Sequence, residues 1–230
     1  MARRENIAET LLVGALLAVV GGFLDAYTYL CRGGVFANAQ TGNIVLVGLR
    51  LAGGDWAGCA YYLVPIAAFA AGVFAAEGIR LRCHNHDKFH WRQVVLAFEA
   101  LVLFAIAFIP QSGDMLANML VSFVCALQVQ SFRKMYGNAY ATTMCTGNLR
   151  SASECLWVYG RTKNPANLQN SLRYYGVIAF FVLGAIIGAV LTRVWQVHAI
   201  FFACAVLAAV FALLSFEQHE GLFAIRKKDE

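Results

Sequence analysis

Two features of this 230-residue chain could do chemistry. The first is a carboxyl group where a carboxyl is costly. Asp25 lies in Gly21-Gly22-Phe23-Leu24-Asp25-Ala26-Tyr27, well inside an apolar run. An acid in such a place can carry a proton, bind a cation or hold an internal helix end. The second is a repeated tripeptide. Thr-Gly-Asn occurs in Gln40-Thr41-Gly42-Asn43 and again in Cys145-Thr146-Gly147-Asn148. Threonine and asparagine are good caps for helix N-termini. A helix start held inside a membrane presents free N–H groups and about half a positive charge, which suits a polar or anionic ligand.

Other polar groups join these two features. Gln128, Gln130 and Ser131 fall where Asp25 falls in the first half of the chain, and Thr142 and Thr143 place hydroxyls before the second motif. The candidate substrate-binding set is therefore Asp25, Gln40, Thr41, Gly42, Asn43, Gln128, Gln130, Thr142, Thr143, Thr146, Gly147 and Asn148. Glu99 is a second acid in an apolar run. Glu77 lies close enough to Arg80 to pair with it at the interface. Residues 82–90 hold Cys83, His84, His86 and His90, but the spacing matches no closed zinc site, and the strip reads as a solvated loop. No nucleophile elbow or phosphate loop appears. The chain does not read as an enzyme, and no cofactor or metal is expected. A weaker enzymatic reading would need Asp25 and Glu99 to converge in one pocket.

The elements that position these groups follow from composition. Hydrophobic residues make up 60% of the chain and charged residues 13%, against roughly 25% charged in an ordinary globular domain. Six segments approach the ~20 apolar residues that a spanning helix needs. They are 10–31, 56–80, 93–110, 114–132, 172–192 and 196–216. They use over half the chain, which leaves no sizeable soluble domain. The N-terminus resembles a signal peptide, but no small-residue cleavage pattern ends it, and it reads as a retained helix. The seven scattered cysteines read as small buried hydrophobes rather than disulfide partners. The net charge of +5 is spread between apolar runs and forms no patch, so nucleic acid is excluded as a partner.

Placement of the basic charges decides the number of spans. With six spans and the N-terminus inside, fifteen of the eighteen Lys and Arg residues lie on the cytoplasmic side. The exceptions are Arg32, Arg50 and Arg193. With eight spans, the basic residues left outside helices divide evenly. The positive-inside bias therefore selects six spans with both termini cytoplasmic.

The two Thr-Gly-Asn copies stand 105 residues apart. Each follows one span and precedes two more. This divides the chain into repeat one, about 8–111, and repeat two, about 112–217, with a cytoplasmic tail at 218–230. Three spans per unit is odd, so the second unit enters from the opposite face, a common transporter plan. After each motif comes a short apolar stretch: 44–52, stopped by Gly53-Gly54, and 149–159, ended by Gly160. A helix of about ten residues is roughly 15 Å long, half of a ~30 Å hydrocarbon core. Both read as half-helices whose N-terminal ends meet near the midplane. The alternative is a pair of amphipathic surface loops.

Gly21-Gly22-Phe23-Leu24-Asp25-Ala26 followed by Gln40-Thr41-Gly42-Asn43 resembles the YoaK-type membrane proteins, the DUF1275 or UPF0700 group. Thr142-Thr143 with Thr146-Gly147-Asn148 is similar to that family's second motif. The resemblance covers nearly the whole chain and implies a bacterial inner-membrane protein of uncharacterised function. The expected fold is all-α: six transmembrane helices plus two short half-helices in an inverted 3+3 repeat. The expected function is a transporter or channel for a small polar or anionic solute, with a non-transporting accessory or structural protein as the alternative. The expected partners are the lipid bilayer and that solute, and assembly as a homo-oligomer stays open.

Overall fold

Where water is absent, backbone N–H and C=O groups need partners within the protein, and a helix pairs nearly all of them within one segment. The apolar runs accordingly form long helices. These are α1 (Leu11–Cys31), α3 (Trp56–Cys83), α4 (Trp91–Ile106), α5 (Asp114–Ser131), α7 (Pro165–Trp195) and α8 (Phe201–Arg226). Between them lie α2 (Gln40–Ala52) and α6 (Cys145–Thr162), each opening at a Thr-Gly-Asn motif. The computed structural model describes residues 7–83 and 91–226. Most of the thiol and imidazole strip at 82–90 therefore lies outside the described residues.

Among the described residues, four runs are long and apolar enough to cross a membrane: Leu11–Cys31, Trp56–Arg82, Gln111–Ser131 and Pro165–Phe216. The last contains both α7 and most of α8, which are separated by the 3-10 turn Gln196–Ile200. α4 has 16 residues, or about 24 Å at 1.5 Å per residue. The exterior is apolar. Phe74 is 78% exposed and Trp56 is 74% exposed, and Leu81, Leu101, Val194 and Phe216 are similarly bare. Contiguous surfaces of this kind belong against lipid or protein rather than water.

The packing of the first four helices mirrors that of the last four. α1 rests chiefly on α7, and α5 rests chiefly on α3. α2 leans on α3, and α6 leans on α7. α4 pairs with α8, while α4 also meets α5 and α8 meets α1. Exchanging α1–α4 for α5–α8 leaves this set of neighbours unchanged.

Backbone meets backbone where α1 crosses α7. A β-carbon on Gly22 would overlap the Phe181 carbonyl, and one on Gly184 would overlap the Val19 carbonyl. Gly188 would place its β-carbon 2.8 Å from the Phe23 oxygen. Gly184 and Gly188 are four residues apart, the small-xxx-small spacing that lets helices approach closely in membranes.

Several boundaries differ from the expectation. α6 has 18 residues and runs through Gly160, ending where Lys163 takes a left-handed φ of 53°. It is about 27 Å long, so it is not a half-length helix. α2 has 13 residues and stops at Gly53 as expected. α7 starts early, at Pro165, because the Asn164 side chain accepts from the Ala166 N–H at 3.0 Å and proline fits the first helical turn. α8 continues to Arg226, past the expected end at 216. A two-residue hairpin, β1 (Lys134–Met135) with β2 (Asn138–Ala139), interrupts the all-α pattern. Its turn residues, Tyr136 and Gly137, both have positive φ.

Arg32 ties one end of the bundle together. It is fully buried. Its guanidinium donates to Tyr27 Oη (3.0 Å), to the carbonyls of Ile106 (3.1 Å), Ile109 (2.9 Å) and Pro110 (3.3 Å), and to Asp114 Oδ1 (3.1 Å). Its own carbonyl accepts from Asn118 Nδ2 at 2.7 Å and from Tyr61 Oη at 3.2 Å.

Candidate functional site

After α1, Gly33 and Gly34 take φ of 79° and 75°, values that favour glycine, and turn the chain back along the helix. The returning strand is pinned to α1. Asp25 Oδ1 accepts from the N–H of Asn38 at 2.8 Å and of Ala39 at 3.4 Å. Asn38 Nδ2 donates to the Gly21 carbonyl at 3.1 Å, and Thr28 Oγ1 accepts from the Ala37 N–H at 3.3 Å. Asp25 therefore holds the approach to α2, the internal-anchor role that its position allowed.

The two motif asparagines do the same job. Asn43 Oδ1 accepts from the Phe36 N–H at 3.2 Å, and its Nδ2 donates to the Phe36 carbonyl at 2.6 Å. Asn148 Oδ1 accepts from the Ala141 N–H at 3.3 Å, and its Nδ2 donates to the Ala141 carbonyl at 2.6 Å. In both copies the partner lies seven residues back. An amide offers a donor and an acceptor together, so it can close this two-bond clamp where a hydroxyl would make only one bond well. Gln40 adds to the first clamp by accepting from Asn43 Nδ2 at 2.9 Å.

The capping expected of the motif is not found. α2 begins at Gln40 with Ala39 before it, and α6 begins at Cys145 with Met144 before it; neither flanking residue makes a side-chain cap bond. Thr41 and Thr146 are exposed, and Asn43 and Asn148 sit inside the helices as clamps. The helices start earlier than the motif suggested because the clamps close the chain behind them.

The glutamines of α5 separate. Gln128 Nε2 donates to Thr142 Oγ1 at 3.2 Å and to the Leu17 carbonyl at 3.4 Å. Gln130 instead bonds Glu77, which also pairs with Arg80 and Arg133. Two residues along a helix rotate by about 200°, so the two side chains leave nearly opposite faces. Only Gln128 supports the second motif.

The two motifs line one cavity of about 870 Å³. Asp25, Asn38, Gln40 and Thr41 face it from the first unit, and Thr143, Cys145, Thr146 and Gly147 face it from the second. Tyr29, Phe36, Phe69, Met144 and Phe181 supply apolar wall. Asn43, Gln128, Thr142 and Asn148 are buried and brace the lining without forming it, and Gly42 packs beside the Phe36 ring. Asn38 was not singled out from the sequence, although the 105-residue offset pairs it with Thr143. Glu99 is not in this cavity. It is fully buried on α4, and neither carboxyl oxygen has a partner among the described residues. Asp25 and Glu99 therefore do not line this cavity together. Among the described residues, no three His, Cys, Asp or Glu side chains cluster as a metal site.

The clamps make a stability prediction. Asn43→Ala and Asn148→Ala each lose both clamp hydrogen bonds and leave backbone groups unpaired, at a cost of about 2 kcal/mol each. Thr41→Ala and Thr146→Ala, whose side chains are exposed and make no hydrogen bond among the described residues, should shift stability by less than about 0.5 kcal/mol. Thermal unfolding of the detergent-solubilised variants measures both pairs. A large loss at the threonines with silent asparagines would reverse the assignment.

A bundle of long apolar helices with large apolar side chains bare on its exterior is an α-helical membrane protein. Residues 13–213 match the family described as "Protein of unknown function (DUF1275)", and this chain belongs to that family. It is similar to the UPF0700 transmembrane protein YoaK of Bacillus subtilis (strain 168), with 27% identity over 187 residues that cover 76% of this chain and 80% of that protein. No solved structure matches the chain.

Proposed function

We propose that this protein is a transporter or channel for a small polar or anionic solute, bound in the cavity between the starts of α2 and α6. The observation that carries this reading is the shared cavity, with both Thr-Gly-Asn motifs and Asp25 in its wall. Phe69 and Phe181 contribute from near the middle of α3 and α7. Many transporters hold their solute near the middle of the bilayer, and the reading puts this cavity at that depth. The reading includes six spans, an inverted repeat and both termini in the cytoplasm of a bacterial cell. The exchangeable helix packing and the matched asparagine clamps support the repeat. The distribution of basic residues supports the orientation.

Water access tests the proposal. Thr41→Cys and Thr146→Cys are placed in a chain whose native cysteines are replaced, and the protein is reconstituted in liposomes. Both cysteines should react with a membrane-impermeant thiol reagent, and Gly147→Leu, which fills the cavity, should slow both. A dry site that reacts at neither position would favour the accessory-protein alternative.

A further inference from the structure

The two ends of the cavity are chemically unequal. At the start of α2 the protein supplies its own carboxyl group, because Asp25 takes the N–H groups of Asn38 and Ala39. The N–H groups of Gln40 and Gly42 are bonded to the carbonyls of Asn38 and Ala39. At the start of α6, among the described residues, no carboxylate takes the backbone N–H groups, although Asp25 lines the same cavity. The residue matching Asp25 is Gln130, and it is turned away toward Glu77. Among the described residues, the N–H groups of Cys145, Thr146 and Gly147 have no acceptor, and the first one bonded is that of Asn148, to the Met144 carbonyl at 3.2 Å.

A second observation points to the same place. Thr143 lies two residues before α6 and lines the cavity. It is only 4% exposed, and its hydroxyl has no partner among the described residues. Its counterpart Asn38 already donates to Gly21. A β-carbon on Gly147 would meet nothing within 4 Å, so the backbone there faces open space. Free N–H groups at a helix start, together with the helix dipole and an unused hydroxyl, form an oxyanion site. The cavity around it is walled by Phe36, Phe69, Met144 and Phe181.

We infer that the start of α6 binds the oxyanion head, a carboxylate or phosphate, of an amphipathic solute whose apolar body lies against those four side chains. This rests on the cavity being the solute site. Asp25 lines the same cavity and opposes the head through its charge, so the site is one-sided: α6 attracts and Asp25 repels.

Three probes with one body and different heads test this: octanoate, octanol and octylammonium, titrated into the purified full-length protein by calorimetry. Octanoate should bind at least about tenfold more tightly than the other two, as expected for charge-assisted bonds. Thr143→Val should weaken octanoate severalfold and leave octanol unchanged. Asp25→Asn keeps an oxygen for Asn38 and Ala39 and removes the charge, so it should tighten octanoate. Preference for octylammonium, with loss of its binding in Asp25→Asn, would overturn the assignment and make Asp25 a cation site. Equal binding of all three would also overturn it and leave an apolar cavity. Gly147→Leu separates this from the underlying reading. It should abolish every probe, and probes unaffected by it, or absent from the wild type, would mean that the cavity is not the solute site at all.

Discussion

Arg32→Met is expected to strip several kcal/mol from the folded state. The guanidinium is buried and donates to five oxygens on three separate segments: Tyr27 of α1, the chain around the end of α4, and Asp114 at the start of α5. Methionine keeps the volume of the stem and removes every donor. The carbonyls of Ile106 and Ile109 lose their partner, and the Asp114 carboxylate loses its counter-charge. Breaking one side of a buried ion pair costs about 3–5 kcal/mol, a large share of the roughly 5–15 kcal/mol that holds a typical domain folded. Arg32→Lys should fall between the two. Lysine restores the charge but has three donors on one nitrogen, which cannot reach a spread of oxygens as the planar fork does. Asp114→Asn should be milder than either, since the Asp114 side chain is 19% exposed and an amide oxygen can still accept. Fluorescence-detected size exclusion and thermal unfolding in detergent would measure the order. An Arg32→Met protein that melts with the wild type would refute the clasp.

Arg32 also shows where sequence reasoning stops. Charge counting could say only that it was one of three basic residues on the less basic side. It could not say that the residue folds inward, because its partners are mostly backbone carbonyls up to 78 positions away, and carbonyls have no signature in a sequence. The same holds for Asp25. Its isolation in an apolar run marked it as important, but its anchoring of Asn38 and Ala39 needed the chain reversal at Gly33-Gly34 to be seen. The long apolar runs were legible because water exclusion leaves a chain little choice but helix. The end of α2 was legible because Gly53-Gly54 follows an apolar stretch. The end of α6 was not. Gly160 resembled a stop, but a glycine inside a helix costs only ~1 kcal/mol relative to alanine, and the helix continues two residues past it. The 105-residue offset between the motifs is also the offset between the starts of α2 and α6. It misassigned Gln130, because an offset fixes position along a helix axis without fixing the side toward which each residue points.

Gly22→Val is expected to damage both the fold and the cavity. At the α1–α7 crossing a β-carbon on Gly22 would collide with the Phe181 carbonyl and lie 3.0 Å from the Ala185 nitrogen. Both are backbone atoms, so no side chain can rotate out of the way. The helices must separate, and they are the most extensively packed pair in the bundle. Overpacking usually costs about 1–3 kcal/mol when side chains can adjust, and here the cost should lie at or above the top of that range. Gly184→Val should do the same from the other helix, against the Val19 carbonyl. The consequence extends to the site, because α1 carries Asp25, and Phe181 and Ala185 of α7 line the same cavity. Gly78 is the control. It lies on α3 with nothing within 4 Å of its β-carbon, so Gly78→Ala should stabilise by up to ~1 kcal/mol through helix propensity alone. The decisive result is the opposite sign: Gly22→Ala should lower the unfolding temperature, and Gly78→Ala should hold or raise it. If the two alanine variants melt together, α1 and α7 do not meet backbone to backbone, and the cavity must be built around a different crossing.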